Sequence, residues 1–178
     1  MKLTPTAIDA VWRVDLAPFD DARGRFVRTF DADVFRAHGL GATFIQSSIS
    51  QNRARATLRG VHYQLPPYEE TKLVRCSRGR VFDVAVDLRP ASKTYCRWVG
   101  LELDALTAVW LGPGIAHGFV TLEDDSELSY QISAPYAPDA ARGVRWDDPL
   151  FAISWPIAPL VMSERDRAWP DYVPRPTR

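Results

Sequence analysis

Residues 72–88 place two strand-length apolar runs in immediate succession, with only Ser77-Arg78-Gly79-Arg80 between them. In the second run Phe82, Val84, Val86 and Leu88 fall on one face. Asp83, Ala85 and Asp87 fall on the other, with Val81 at its start. That alternation has the two-residue period of an extended chain, not the 3.6-residue period of a helix. The first run, Lys72 to Cys76, reaches the second through a short glycine-containing link, the signature of a β-hairpin.

The same grammar recurs along the chain. Strands are predicted over residues 11–19, 26–30, 43–50, 57–64, 95–103, 108–111, 118–122 and 128–133. Pro66-Pro67, Pro90, Gly112-Pro113-Gly114 and Pro135 punctuate the gaps. Helical signals are few: residues 31–38, opened by Asp31 as N-cap and closed by Gly39, and a second turn opening at Ser163. Many short strands with Gly/Pro turns imply a sandwich or barrel. With 178 residues and no repeat, low-complexity tract or linker, the reading is one domain over 1–178.

Composition narrows the function. Hydrophobic residues are 46% and charged residues 25%, a globular balance without the signature of disorder. Twenty-two basic residues offset twenty-two acidic ones, which disfavours a nucleic-acid binder. Only Lys2, Lys72 and Lys93 are lysines, so the positive charge is mostly arginine, suited to gripping small anions. Cys76 and Cys96 sit in no CxxC motif and cannot define a disulfide scaffold. No apolar run has the length of a membrane span, and the first residues lack a signal-peptide core; the expectation is a cytoplasmic protein with no membrane partner.

Three histidines leave little room for a metal site. His38 lies in the predicted first helix, His62 in the strand Thr57–Gln64, and His117 at the turn before Gly118-Phe119. There is no HxH or HxxxH pair, and three isolated imidazoles, one of them helical, make a poor facial site; no metal and no cofactor are expected. A GxSxG elbow, a GxGxxG fingerprint and a P-loop are all missing from the sequence. Acid–base chemistry remains. Proton abstraction beside a ketone needs a base, an acid, and a positive group for the enolate oxygen, and His62, Tyr130 and Lys72 are the right residue types.

The order of motifs carries more than any one residue. Asp21-Ala22-Arg23-Gly24-Arg25-Phe26 is followed by Phe44-Ile45-Gln46 and Leu58-Arg59-Gly60-Val61-His62-Tyr63-Gln64. Lys72-Leu73-Val74-Arg75-Cys76 and the block from Val81 to Arg89 come next. Gly114 to Phe119, Tyr130, Trp155-Pro156 and Ser163-Glu164-Arg165-Asp166 complete the series. In this order, over about residues 20 to 170, the chain resembles the dTDP-4-dehydrorhamnose 3,5-epimerase family.

The resemblance implies an all-β, cupin-type jelly-roll barrel with a few short helices, usually a homodimer, acting on a nucleotide-linked 4-keto-6-deoxyhexose without metal or cofactor. It implies that His62 is the base at C3 and C5, that Asp166 orients and charges it, that Tyr130 is the acid on the opposite ring face, and that Lys72 faces the C4 oxygen. Substrate-binding positions carried over are Arg23, Phe26, Arg28, Gln46, Ser48, Arg59, Gln64, His117, Tyr136 and Arg165. One geometric condition follows from the residues themselves. Arg59 and His62 point to opposite faces of a regular strand, so both reach one pocket only if the strand bulges, and Gly60 is the residue that permits it.

The chain departs from the family pattern mainly on the binding side. Arg28 stands where Glu is common, Ser47-Ser48 replaces an acid- and amide-bearing pair, and Ala141 stands where Glu is frequent. Arg165 replaces a common Lys, and the loop 51–56 is one residue longer. These changes point to a shift in nucleotide or sugar preference beside an intact acid–base set. Epimerisation at one carbon only, or a non-catalytic sugar-nucleotide-binding cupin, are the alternative readings.

Overall fold

The computed structural model describes residues 1–176 other than Ala42. Thirteen strands and two short helices are present among them. In chain order the strands are β1 (Lys2–Pro5), β2 (Val11–Asp15), β3 (Pro18–Asp21), β4 (Gly24–Val27), β5 (Gln46–Asn52), β6 (Leu58–Gln64) and β7 (Lys72–Arg78). They continue with β8 (Val81–Asp87), β9 (Trp98–Leu103), β10 (Thr107–Leu111), β11 (Ile115–Thr121), β12 (Ser126–Ile132) and β13 (Ala141–Gly143). Helix α1 is Ala32–Ala37 and α2 is Glu164–Arg167.

Two antiparallel sheets form a cupin-type jelly roll. One runs β1-β2-β10-β7-β12-β5 and the other β13-β6-β11-β8-β9, while β3 and β4 make a separate hairpin. The barrel interior is apolar at one end, where Val11, Val74, Cys76, Val109, Phe119 and Leu128 pack together. A second cluster, with Leu3, Val14, Phe35 and Trp110, seals α1 onto the outside of the six-stranded sheet. A third packs Val84, Val86 and Leu88, with Phe82 alongside, against Phe151 and the C-terminal segment. The purely apolar face of β8 therefore looks outward under the C-terminal segment, and the face carrying Asp83 and Ala85 looks into the barrel.

Several boundaries move for physical reasons. The single strand predicted over 11–19 divides into β2 and β3 at Leu16-Ala17, and the one predicted over 26–30 becomes β4, hairpin partner of β3. The strand predicted from Tyr95 begins at Trp98, because Ser92–Arg97 forms turns with Cys96 at φ 61°. β1 and β13 lie outside the strands predicted above; each is short, and each is defined by its partner strand more than by its own pattern. Both helix starts fall as read, with Asp31 accepting from the Asp33 and Val34 amides and Ser163 from the Asp166 amide. Among the described residues no helix is long and apolar enough to cross a membrane.

Candidate active site

Strand β6 carries the first half of the site. It lies between β11 and β13, so that His62 is opposite His117 on one side and Gly143 on the other. From Phe119↔Arg59 to His117↔His62, two steps along β11 match three along β6, which is a bulge. Gly60 sits in it at φ 127°, and a Cβ there would collide with the Gly118 backbone. The extra residue rotates Arg59 onto the same side as His62, and both line one cavity. The condition set by the alternation of the strand is met, and by glycine for two reasons: the backbone angle and the close approach of β11.

The cavity occupies about 700 Å³ of the barrel's open end. His62 Nε2 is 2.6 Å from Asp166 Oδ1, and the other Asp166 oxygen accepts from the Gly60 amide at 3.4 Å. Asp166 stands in the single turn of α2, where Ser163 caps its amide at 3.1 Å. Arg165 of the same turn lies over the Trp169 ring at 5.1 Å, and the Trp169 indole packs so close to Gly143 of β13 that a Cβ there would collide with it. Burial works against ionisation of Asp166, but the hydrogen bond and charge of His62, with the Gly60 amide, outweigh it and hold the carboxyl below its usual value. With Nε2 held by the carboxylate, Nδ1 is the ring nitrogen left to exchange a proton.

A second His–Asp pair lies deeper. His117 Nε2 is 2.7 Å from Asp83 Oδ2, with both side chains almost fully buried. The Tyr130 ring meets the His117 ring edge-on at a centroid distance of 6.1 Å. Burial, reinforced by the charge of Asp83, pushes the Tyr130 phenol far up, so it stays protonated and can act as a donor. Burial likewise pushes the Asp83 carboxyl up, against the opposing pull of His117 and Lys72. Lys72 Nζ is held 2.7 Å from Glu70 Oε1, and both residues line the cavity. The arrangement offers a base, a protonated phenol and an ammonium around one cavity, which is what enolisation and reprotonation beside a carbonyl require.

Gln46, Ser48, Arg59, Gln64, His117, Tyr136 and Arg165 line this cavity with His62, Lys72, Tyr130 and Asp166, as does Ala141. Gln64 has little free capacity: its amide nitrogen donates to the Tyr68 and Pro135 carbonyls at 2.9 and 3.1 Å, and its oxygen accepts from the Ala137 amide at 2.6 Å. It ties down the segment that presents Tyr136, whose hydroxyl accepts from Arg165 at 3.4 Å. Arg59 Nε donates to Asn52 Oδ1 at 2.7 Å.

Arg23, Phe26 and Arg28 do not line the cavity of their own chain. Arg23 pairs with Asp21 and Arg28 with Asp31, and Phe26 is 67% exposed on the hairpin. Glu70 lines the cavity, while Asp83 and Asn52 stand behind it and hold His117 and Arg59; the sequence assigns none of the three to the site. The visible signal for Asp83 was a carboxylate in the middle of an apolar strand; nothing in the order of residues marked Glu70. Among the described residues no three His, Cys, Asp or Glu side chains group to hold a metal ion.

Comparison with known proteins gives a consistent answer. The sequence model of the dTDP-4-dehydrorhamnose 3,5-epimerase family matches residues 5–173. The dTDP-4-dehydrorhamnose 3,5-epimerase of Sinorhizobium fredii is 42% identical over 161 residues, covering 89% of this chain and 83% of that one. The dTDP-4-dehydrorhamnose 3-epimerase of Streptomyces niveus is 39% identical over 94% of this chain and 82% of its own. The crystal structure of the dTDP-4-dehydrorhamnose 3,5-epimerase of Bacillus anthracis, with TDP and PPi bound, superposes with a TM-score of 0.92 at 32% identity, covering 96% and 99% of the two chains.

Proposed function

We propose a reaction for this cavity on the premise that the chain belongs to the dTDP-4-dehydrorhamnose 3,5-epimerase family, isomerases of nucleotide sugars. The substrate is a dTDP-linked 4-keto-6-deoxyglucose, and the reaction inverts C3 and C5. The 4-keto group acidifies both neighbouring C–H bonds. His62 takes a proton through Nδ1, and Asp166 stabilises the imidazolium that results. Charge that moves onto the C4 oxygen is met by the Lys72 ammonium. Tyr130 delivers its proton to the other face of the same carbon. One proton has then left the carbon for His62 and another has come from Tyr130, and exchange with water resets both before the next carbon reacts.

The observation that carries this reading is the His62–Asp166 pair at 2.6 Å on the wall of a cavity that Lys72 and Tyr130 also line. Gln46, Ser48, Arg59, His117, Tyr136 and Arg165 hold the nucleotide and sugar around it. Arg23, Phe26 and Arg28 take that role only from a second copy, since they stand outside their own chain's cavity. A homodimer gives the exposed Phe19 and Phe26 of the hairpin, and Ile45 and Ile49 at the β5 edge, a surface to cover. Sedimentation at micromolar concentration checks this: a species of 20.0 kDa rejects it, and twice that supports it. The cytoplasm is the compartment in which we place the enzyme.

The test of the reaction is deuterium incorporation from solvent into dTDP-4-keto-6-deoxyglucose, followed by NMR. Label at both C3 and C5, lost in His62→Ala, is the expected result. Label at C3 alone gives the single-carbon reaction, the activity in the name of the Streptomyces niveus relative. No label at either carbon rejects the proposal. Ser48, Ala141 and Arg165 bear on nucleotide choice because all three line the cavity. Weaker binding of dTDP than of another nucleoside diphosphate supports a shifted preference, and equal or tighter binding rejects it.

A further inference from the structure

One carboxylate on the cavity wall, that of Glu70, has an acceptor oxygen left largely free. Glu70 is largely buried, its side chain 14% exposed, and it lines the cavity. One of its oxygens holds Lys72 Nζ at 2.7 Å, while the other has a single long contact, 3.5 Å, with the Gln64 amide. That amide is already committed to two backbone carbonyls at 2.9 and 3.1 Å. A carboxylate oxygen on a cavity wall with one weak donor has acceptor capacity left for a ligand that brings a better one.

We infer that Glu70 reads a free hydroxyl on the sugar carbon beside the ketone, and so sets which nucleotide sugars are accepted and how readily C3 reacts relative to C5. The inference rests on the reaction proposed above, in which Lys72 faces the C4 oxygen. A carboxylate that lines the cavity 2.7 Å from that ammonium is within reach of a substituent on C3 or C5 of the ring. At C3 it meets a hydroxyl, a donor well matched to a carboxylate. At C5 it meets a methyl group, which offers a carboxylate nothing. The C3 hydroxyl is also the group that changes orientation when C3 inverts, so an acceptor bound to it acts on that inversion and not on C5. Glu70 touches substrate in this arrangement but transfers no proton. Its second function is to hold Lys72 in place.

The experiment compares wild type with Glu70→Gln, which keeps shape and removes charge, and with Glu70→Asp, which keeps charge and withdraws it by one methylene. Two quantities are read: the ratio of deuterium entering C3 to that entering C5, and the affinity, by calorimetry, for the nucleotide 4-keto sugar relative to its 3-deoxy analogue. A hydrogen bond to a charged acceptor discriminates strongly against a ligand that lacks the donor. Wild type is expected to prefer the hydroxylated sugar by about tenfold or more. Glu70→Gln is expected to lose most of that preference and to lower the C3-to-C5 ratio, with Glu70→Asp intermediate. If Glu70→Gln turns over with both quantities unchanged, the inference is overturned. If wild type labels neither carbon, the proposed reaction fails instead, and the affinity comparison still decides for or against the hydroxyl contact.

Discussion

Two histidine–aspartate pairs stand side by side on the same wall, and they differ almost entirely in exposure. His62–Asp166 and His117–Asp83 have Nε2-to-carboxylate distances of 2.6 and 2.7 Å, and the two histidines are directly opposed on β6 and β11. The His62 side chain is 44% exposed; that of His117 is 5% exposed. An imidazole that must take a proton from a bound sugar needs access and room to release that proton to water. An imidazole buried on a carboxylate cannot easily do either, and instead fixes polarity around Tyr130 and Lys72. Under the proposed reaction, the same pair chemistry serves turnover at the open end and organisation at the closed one.

The comparison can be broken by mutating each pair. His62→Ala is expected to lower kcat by about 10³-fold or more with little change in thermal stability, because it removes the base from a half-open position. Asp83→Ala should show the opposite balance. Removing one partner of a buried pair is expected to cost about 3–5 kcal/mol of stability, read by denaturant unfolding. Equal stability losses in the two variants would erase the distinction between the pairs.

A finer test is Asp166→Asn, which keeps the shape of the carboxylate but not its charge. A fall in kcat of about 10²-fold, with KM little changed, is expected for a residue that acts through His62. The smallest effect is in pH. The Asp166 carboxyl is held below its ordinary value of 3.8 in the folded protein. Its contribution to stability is therefore complete above that ordinary value and is lost as pH falls through the lowered one. Acid unfolding of Asp166→Asn should show a shallower loss of stability in that window than wild type, and an identical slope in the two proteins would contradict the pairing.

A buried thiol gives an independent control in the wall shared with Tyr130. Burial pushes Cys76 from 9.0 to about 11. The folded state then holds a proton that the unfolded chain releases, so stability should fall between those values by at most about 1.4 kcal/mol per pH unit. Cys76→Ala should flatten that alkaline slope and leave the acid one unchanged.

Much of this was already present in the order of residues. Period-two alternation between Val81 and Leu88, with Gly/Pro punctuation, determined strands, and Asp31 and Ser163 determined where the helices start, because those signals are local. The need for a bulge at Gly60 followed once the family resemblance assigned Arg59 and His62 to one pocket, since three steps along a regular strand reverse the face. Local rules could not supply contacts between distant positions. Asp166 is 104 residues from His62, and only closure of the barrel brings α2 against β6. Folding likewise decided that Asp83 lies buried on His117, that Glu70 holds Lys72, and that Arg23, Phe26 and Arg28 stand outside their own cavity. Side-chain pattern specifies which face of a strand is apolar; which groups meet across the barrel depends on the register and closure of whole sheets.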